Sequence, residues 1–283
     1  MLVEAAPAQA ETSETLRRYY DVLLARLGPQ GWWPARTRLE VILGAILTQN
    51  TAWANAARAI ARLRRAGFLN VVRLCRASRA ELEMCVRPAG FYRQKTAAIR
   101  NFLEWLERAC GGSLHRAFSR SPEQLREELL AVRGLGPETV DAILLYAGGK
   151  PFFVADAYTR RILVRHGMVL PRAGYHAVQE FLHRALAPDP AMFNEFHALL
   201  VEVGKRYCKR READCTACPL REFLPGGLHN TWVCRCSAPI HRGLPGSRQR
   251  RDKFRPALLR RRPRRACGRG LIAWMRRKKR GAR

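Results

Sequence analysis

Apolar residues recur every three to four positions from Leu16 to Tyr207, with polar and charged residues between them. Leu16, Tyr19, Tyr20, Leu23, Leu24 and Leu27 form the first stripe. It is the apolar face of a helix expected to begin at Ser13 or Glu14, with Ser13 as its cap. The same period runs through residues 39–47, 52–66, 71–75, 79–85, 95–110, 122–132, 139–147, 157–166, 173–186 and 191–207. No two segments alternate in the manner of paired strands, so the pattern predicts an all-α chain. Residues 1–13 sustain no period and are expected to be disordered.

Beyond Gly227 the period stops and the text turns rich in Arg, Pro and Gly. From Leu228 to Arg283 there are 19 Lys or Arg and one Asp, a net charge of +18. Two readings of this segment stay open. One is a disordered basic tail that binds DNA without sequence preference. The other is an out-of-frame translation of GC-rich codons. The whole 283-residue chain carries +29, so residues 1–227 hold +11 by themselves. A polyanionic partner, most simply nucleic acid, therefore suits the folded part as well as the tail. No run of about eighteen apolar residues occurs, and the N-terminus lacks the basic start and apolar core of a signal peptide. The expectation is a soluble, cytoplasmic protein whose cysteines serve as metal ligands or core thiols.

One stretch is rich in chemical meaning: Val132-Arg-Gly-Leu-Gly-Pro-Glu-Thr-Val140. Gly134 and Gly136 flank Leu135 and permit a tight turn. Pro137 suits the first position of a helix, where its missing N–H costs nothing. The N–H groups of the turn and helix start can then hold a phosphate. The segment reads as a helix–hairpin–helix over about 127–147, with Gly134, Leu135, Gly136 and Thr139 at the DNA. Gly-x-Gly also joins ordinary helices, so the weight comes from its surroundings. Eighteen residues after Glu138 stands Asp156, which also reads as a cap for the helix that follows.

Those surroundings are specific. Leu43-Gly-Ala-Ile-Leu-Thr-Gln-Asn-Thr-Ala-Trp53, the hairpin at 134–138 and Val154-Ala-Asp-Ala-Tyr-Thr-Arg160 resemble the endonuclease III, or HhH-GPD, superfamily of DNA glycosylases. Trp32-Trp33-Pro34, Leu47-Thr-Gln-Asn-Thr51 and Cys85-Val-Arg-Pro-Ala-Gly-Phe-Tyr-Arg-Gln-Lys95 resemble its 3-methyladenine glycosylase III branch. The likeness spans roughly residues 14–227. It implies two helical lobes with a DNA cleft between them, one of residues 35–148 and one of residues 14–34 plus 149–227. It also implies a monomer acting on double-stranded DNA that carries damaged bases.

The resemblance makes Asp156 the catalytic carboxylate. Such a group stabilises the oxocarbenium-like sugar as the base leaves and orients the attacking water. Glu138 stands where strand-cutting relatives have a lysine whose amine forms a Schiff base with the sugar. A carboxylate cannot do so, and Lys150 reads as a solvated loop lysine. Trp32, Trp33 and Trp53 are candidates to stack on an electron-poor extrahelical base, although Trp53 reads equally well as core. The adjacent pair Trp32-Trp33 does not readily enter one core together, which puts at least one at a surface or pocket. Gln49 resembles the wedge that fills the gap left by a flipped nucleotide, its plainer role being at a helix end.

Cys208, Cys215 and Cys218 have a spacing that suits an iron–sulfur cluster or zinc. The family's 4Fe–4S loop has a fourth cysteine where this chain has Leu224. A different fourth ligand, substitution by Cys234 or Cys236, and a degenerate site all remain open. Lys209, Arg210 and Arg211 suit phosphate in any case. Cys75, Cys85 and Cys110 lie on apolar faces and read as core thiols. Together these features predict a monofunctional glycosylase for alkylated purines, 3-methyladenine foremost. The alternatives are an endonuclease III-like glycosylase and lyase for oxidised pyrimidines, and a damaged-DNA-binding protein without catalysis.

Overall fold

The computed structural model describes residues 9–225. The basic segment from Leu228, with Cys234 and Cys236, lies outside the described residues, as do residues 1–8. Twelve α-helices, two short 3-10 turns and one π-helical stretch are the helical elements of the described part, and no strand occurs in it; a lone bridge joins Cys208 and Ala213. The helices are α1 (Gln9–Leu27), α2 (Arg38–Leu47), α3 (Trp53–Arg65), α4 (Val71–Arg76), α5 (Arg79–Val86) and α6 (Tyr92–Cys110). They continue with α7 (Leu114–Phe118), α8 (Pro122–Leu130), α9 (Pro137–Ala142), α10 (Ala157–Arg165), α11 (Tyr175–Ala185) and α12 (Pro190–Arg206). The all-α expectation holds among these residues.

Most helices start where the sequence supplies a cap. Thr37, Asn70, Ser78, Ser113, Ser121, Asp156 and Asp189 each accept a backbone N–H with the side chain. Ser78 and Glu81 complete a reciprocal capping box. Ser13 is a correction. It lies inside α1, which begins at Gln9, and its hydroxyl donates back to the Gln9 carbonyl at 3.0 Å. Residues 9–13 are therefore helical, as strong helix formers such as Gln9, Ala10 and Glu11 favour. The α7 helix has only five residues, too few to display an apolar period.

The apolar stripes meet in one core. Leu16, Tyr19 and Leu23 of α1 are fully buried, and α1 packs on α11 and α12. Helix α2 is buried along nearly its whole length among α3, α6 and α9. It is apolar all round because it is a central helix. Lys95 is 2 % exposed, and its ammonium donates to the carbonyls of Leu47 at 2.9 Å and Ala89 at 2.7 Å. Burial pushes its pKa down to about 8. The bond pair ties the end of α2 to the turn before α6.

Asp141 of α9 is fully buried. Arg126 of α8 donates to it twice, at 2.7 and 3.1 Å. Tyr175 and Gln179 of α11 donate at 2.8 and 2.7 Å. Gln179 also donates to the Phe153 carbonyl at 2.8 Å, in the extended segment that leads to Asp156. Removing one member of a buried ionic group leaves its partner desolvated and alone, which costs about 3–5 kcal/mol. Asp141→Ala is therefore expected to destabilise the fold by about that amount in urea denaturation. A loss below about 1 kcal/mol would show that the network does not hold the helices together.

Candidate active site

A cavity of about 210 Å³ opens between the 32–33 loop, the start of α3, α9 with its continuation, and α12. Trp32, Trp33 and Trp53 form its aromatic wall, with ring centroids 5.0 to 5.3 Å apart. Tyr146 extends the wall, 5.3 Å from Trp33. Both members of the adjacent tryptophan pair line the cavity. Trp33 can lie against α2 because residue 44 is glycine; a Cβ there would meet its ring at 2.9 Å. After Ala142 the helix widens into a π-helical stretch, Ile143–Ala147, which carries Tyr146. Such widened turns often occur at functional sites.

Asp156 lies on the cavity with its side chain 13 % exposed. Its two oxygens have different partners. Oδ1 accepts from the Thr159 backbone N–H at 2.8 Å, so the cap predicted from sequence is present. Oδ2 faces His197 Nε2 at 3.6 Å, beyond an ordinary hydrogen bond. The other ring nitrogen of His197 is bonded to the Tyr146 hydroxyl. If that hydroxyl donates, the imidazole proton sits on Nε2 and points at Asp156. Burial alone would raise the Asp156 pKa. The interaction with His197 and the bonds from Thr159 outweigh it, and the net shift is downward. The carboxylate is therefore ionised at neutral pH.

Glu138 stands at the rim and is the more exposed of the two carboxylates. Its pKa moves upward, through partial desolvation in the cleft first and the Asp156 charge second. Lys205 also lies on the cavity, its ammonium 5.6 Å from the Trp32 ring and 3.8 Å from Glu202. His197, Tyr146 and Lys205 did not stand out in the sequence. A histidine one residue after Phe196 on an apolar stripe looks like core until the neighbouring helices are known.

The hairpin closes one side of the site. Gly134 has φ +99°, and a Cβ there would sit 2.8 Å from that of Ala98. Gly136 starts α9 with extended backbone and nothing within 4 Å of an added Cβ, so it faces open space. Leu135 is turned inward at 6 % exposure, and its N–H donates to the Val132 carbonyl. Its side chain and its N–H are both used inside the fold, where the turn packs on α6 at Ala98. Thr139 is also buried, at 7 %, and its hydroxyl accepts from Gln49 at 2.9 Å. Gln49 donates as well to the Gly134 carbonyl at 3.0 Å, bridging the end of α2 to the hairpin. Lys150 points away from the cavity and donates to the Arg120 carbonyl at 3.1 Å. Phe91 is 63 % exposed with φ +44°, on the turn held by Lys95.

The three loop cysteines are near enough to influence one another. Burial first, and then Cys208 and Cys215, push the Cys218 thiol up to about 11. Cys208 accepts from Arg165 at 3.0 Å. Among the described residues no three His, Cys, Asp or Glu side chains are arranged to hold a metal ion, and Leu224 offers no donor atom. The described part of this loop thus supplies three thiols, Cys208, Cys215 and Cys218, and no cluster enters the chemistry considered below. Of the core thiols expected from sequence, Cys110 is buried, while Cys75 and Cys85 are partly so.

The fold and site define a helix–hairpin–helix protein with a carboxylate-bearing aromatic pocket. Residues 43–188 match the HhH-GPD superfamily of base excision DNA repair proteins. A Methanocaldococcus jannaschii protein, provisionally named a DNA repair glycosylase, is 40% identical over 211 residues, covering 74% of this chain and 96% of that protein. Endonuclease III of Sulfolobus acidocaldarius is 26% identical over 196 residues, 69% of this chain and 85% of its own length. Among solved structures, H. pylori 3-methyladenine DNA glycosylase bound to 1,N6-ethenoadenine is similar with TM-score 0.60 and 26% identity, over 71% of this chain and 98% of that one. An endonuclease III–DNA covalent intermediate shares the fold with TM-score 0.65 and 20% identity, over 75% and 95% of the two chains. The chain belongs to the HhH-GPD superfamily, and it is a DNA glycosylase of base excision repair.

The hairpin geometry has a direct check. Gly134→Ala adds a Cβ at a strained φ and against Ala98, so it is expected to cost on the order of 2 kcal/mol in denaturant titration. Unchanged stability would mean that the turn does not depend on this close approach.

Proposed function

We propose that this glycosylase is monofunctional and removes alkylated purines from double-stranded DNA, with 3-methyladenine as the leading substrate. The observation that carries the reading is the Asp156 carboxylate beside an aromatic wall, with Glu138 rather than an amine on the hairpin helix. A purine alkylated at N3 or N7 is cationic. It leaves with the electrons of the C1′–N bond and departs as a neutral base. The site then needs recognition and a stabilised sugar cation more than leaving-group activation. The tryptophan faces attract an electron-poor ring, each such contact contributing roughly 0.5–2 kcal/mol. Asp156 stabilises positive charge at C1′ and accepts the proton of the water that adds there. The likeness to the H. pylori 3-methyladenine glycosylase supports the same substrate class.

Lys205 favours a second reading. Its amine is on the cavity, so a Schiff base with C1′ and strand cleavage would be open to it. Base release from duplexes carrying 3-methyladenine, N7-methylguanine or thymine glycol, scored separately for free base, nicks and borohydride-trapped adduct, separates the two. The expected outcome is free methylated base, no nicks and no adduct, with Asp156→Asn slower by roughly 100-fold or more. Nicks at thymine glycol that vanish in Lys205→Ala would establish the lyase instead. Damaged-DNA binding with no release, unaffected by Asp156→Asn, would indicate a binding protein.

Contact of the hairpin with the DNA backbone is tested by Gly136→Asp. Aspartate is a favoured helix cap, so stability is expected to hold, while its carboxylate would repel the phosphate. Affinity for duplex DNA should fall several-fold, and more so at low salt. Equal affinity at every salt concentration would remove the hairpin from the interface.

A further inference from the structure

Helix α3 starts at the active-site cavity with Trp53 and runs away from it. Its outer face carries Arg58, Arg62 and Arg65, at spacings of four and three residues that put all three on one side. The turn before α6 brings Arg87 and Pro88 against that face, and together they line a groove of about 430 Å³. The four arginines are exposed. Among the described residues, no carboxylate lies within 4.0 Å of any of them. This is not for want of acids nearby. Arg64, on the same helix, is paired with Glu40, and Arg79 is paired with Glu83. Like charges gathered without counter-charges repel one another, so the arrangement favours a bound polyanion.

The guanidiniums are also partly held in place. Arg62 donates to the Met84 carbonyl at 3.2 Å, Arg58 bonds to the Asn55 side chain, and Arg87 lies 6.0 Å from the centre of the Tyr92 ring. Such anchoring reduces the entropy that binding must overcome. From Arg58 to Arg65 the helix rises about 10 Å, enough for the arginines to meet more than one phosphate of a strand.

The groove is tied to the hairpin through the interior of the fold. The Lys95 ammonium joins the Ala89 carbonyl, two residues from Arg87, to the Leu47 carbonyl, two residues from Gln49. Gln49 in turn joins the hairpin at Gly134. Hairpin, α2 end, 87–91 turn and the arginine groove beside it are therefore held to one another by hydrogen bonds. We infer that this groove is a second phosphate-binding track, which holds the backbone of duplex DNA beyond the stretch gripped by the hairpin. Its walls hold only Ala61 and Pro88 as apolar contacts, so it lacks the central apolar anchor of a protein-docking pocket. The track extends the footprint of the glycosylase and resists dissociation while a nucleotide is flipped.

The test uses the full-length chain and an undamaged duplex of about 30 base pairs, with affinity followed by fluorescence anisotropy over a salt series. Arg58→Gln/Arg62→Gln/Arg87→Gln removes three positive charges from the groove. Arg17→Gln/Arg26→Gln/Arg108→Gln removes three from α1 and α6 and serves as control. Each phosphate contact contributes about 0.9 to the slope of log affinity against log salt, so the groove variant should be shallower by roughly 2 to 3. The control should change by less than about 1, and the groove variant with lysines instead of glutamines should keep the wild-type slope. A wild-type slope in the groove variant would overturn the proposal. So would an equal change in the control, since that would reflect net charge alone. The measurement needs no base release, so it is decided independently of the proposed substrate.

Discussion

A carboxylate with no access to water must be met by donors from whatever elements surround it, and Asp141 sets that condition for this fold. Its donors come from α8 and α11, and Gln179 carries the connection on to the segment before Asp156. The hairpin helix that holds Glu138 and the loop that holds Asp156 are thereby fixed to the same hydrogen-bonded centre. Buried ionic groups add little net stability over a well-packed apolar alternative. Their consequence here is arrangement: a shift of α9 against α11 would leave a charge unpaired in the core. The geometry of the site rests on that penalty.

Within the site the two carboxylates are driven apart. Asp156 gains backbone and imidazole partners and stays ionised; Glu138 feels partial desolvation and the Asp156 charge and moves the other way. Separating neighbouring acids by environment is a general way of giving them different tasks. The aromatic wall adds selectivity for a flat ring, and the small residue Gly44 lets Trp33 come close enough to α2 to build it. Acid, imidazole, phenol and indoles come from five separate parts of the chain, so the cavity exists only when the core is packed.

Much of this was legible in the residues. Helix positions followed from the apolar period, and the cap at Asp156 followed from a side chain that competes for backbone N–H groups. Asp156 is both cap and cavity carboxylate, as its sequence context allowed. Local signals failed where they were short or ambiguous. Ser13 looks like a cap but sits in a run of good helix formers, and α7 is too brief to display a period.

The sequence by itself determined the helical period, the glycine-built hairpin and the family, because each depends on residues near one another along the chain. It also put a carboxylate, Glu138, in the first turn of the hairpin helix. Only the tertiary structure decided that His197 faces Asp156, that Lys205 reaches the cavity, and that Lys150 does not. It alone assembled the arginines of α3 with Arg87 into a groove. These are contacts between side chains far apart in sequence, fixed by packing and by the requirement that buried polar groups find partners, and no local pattern encodes them.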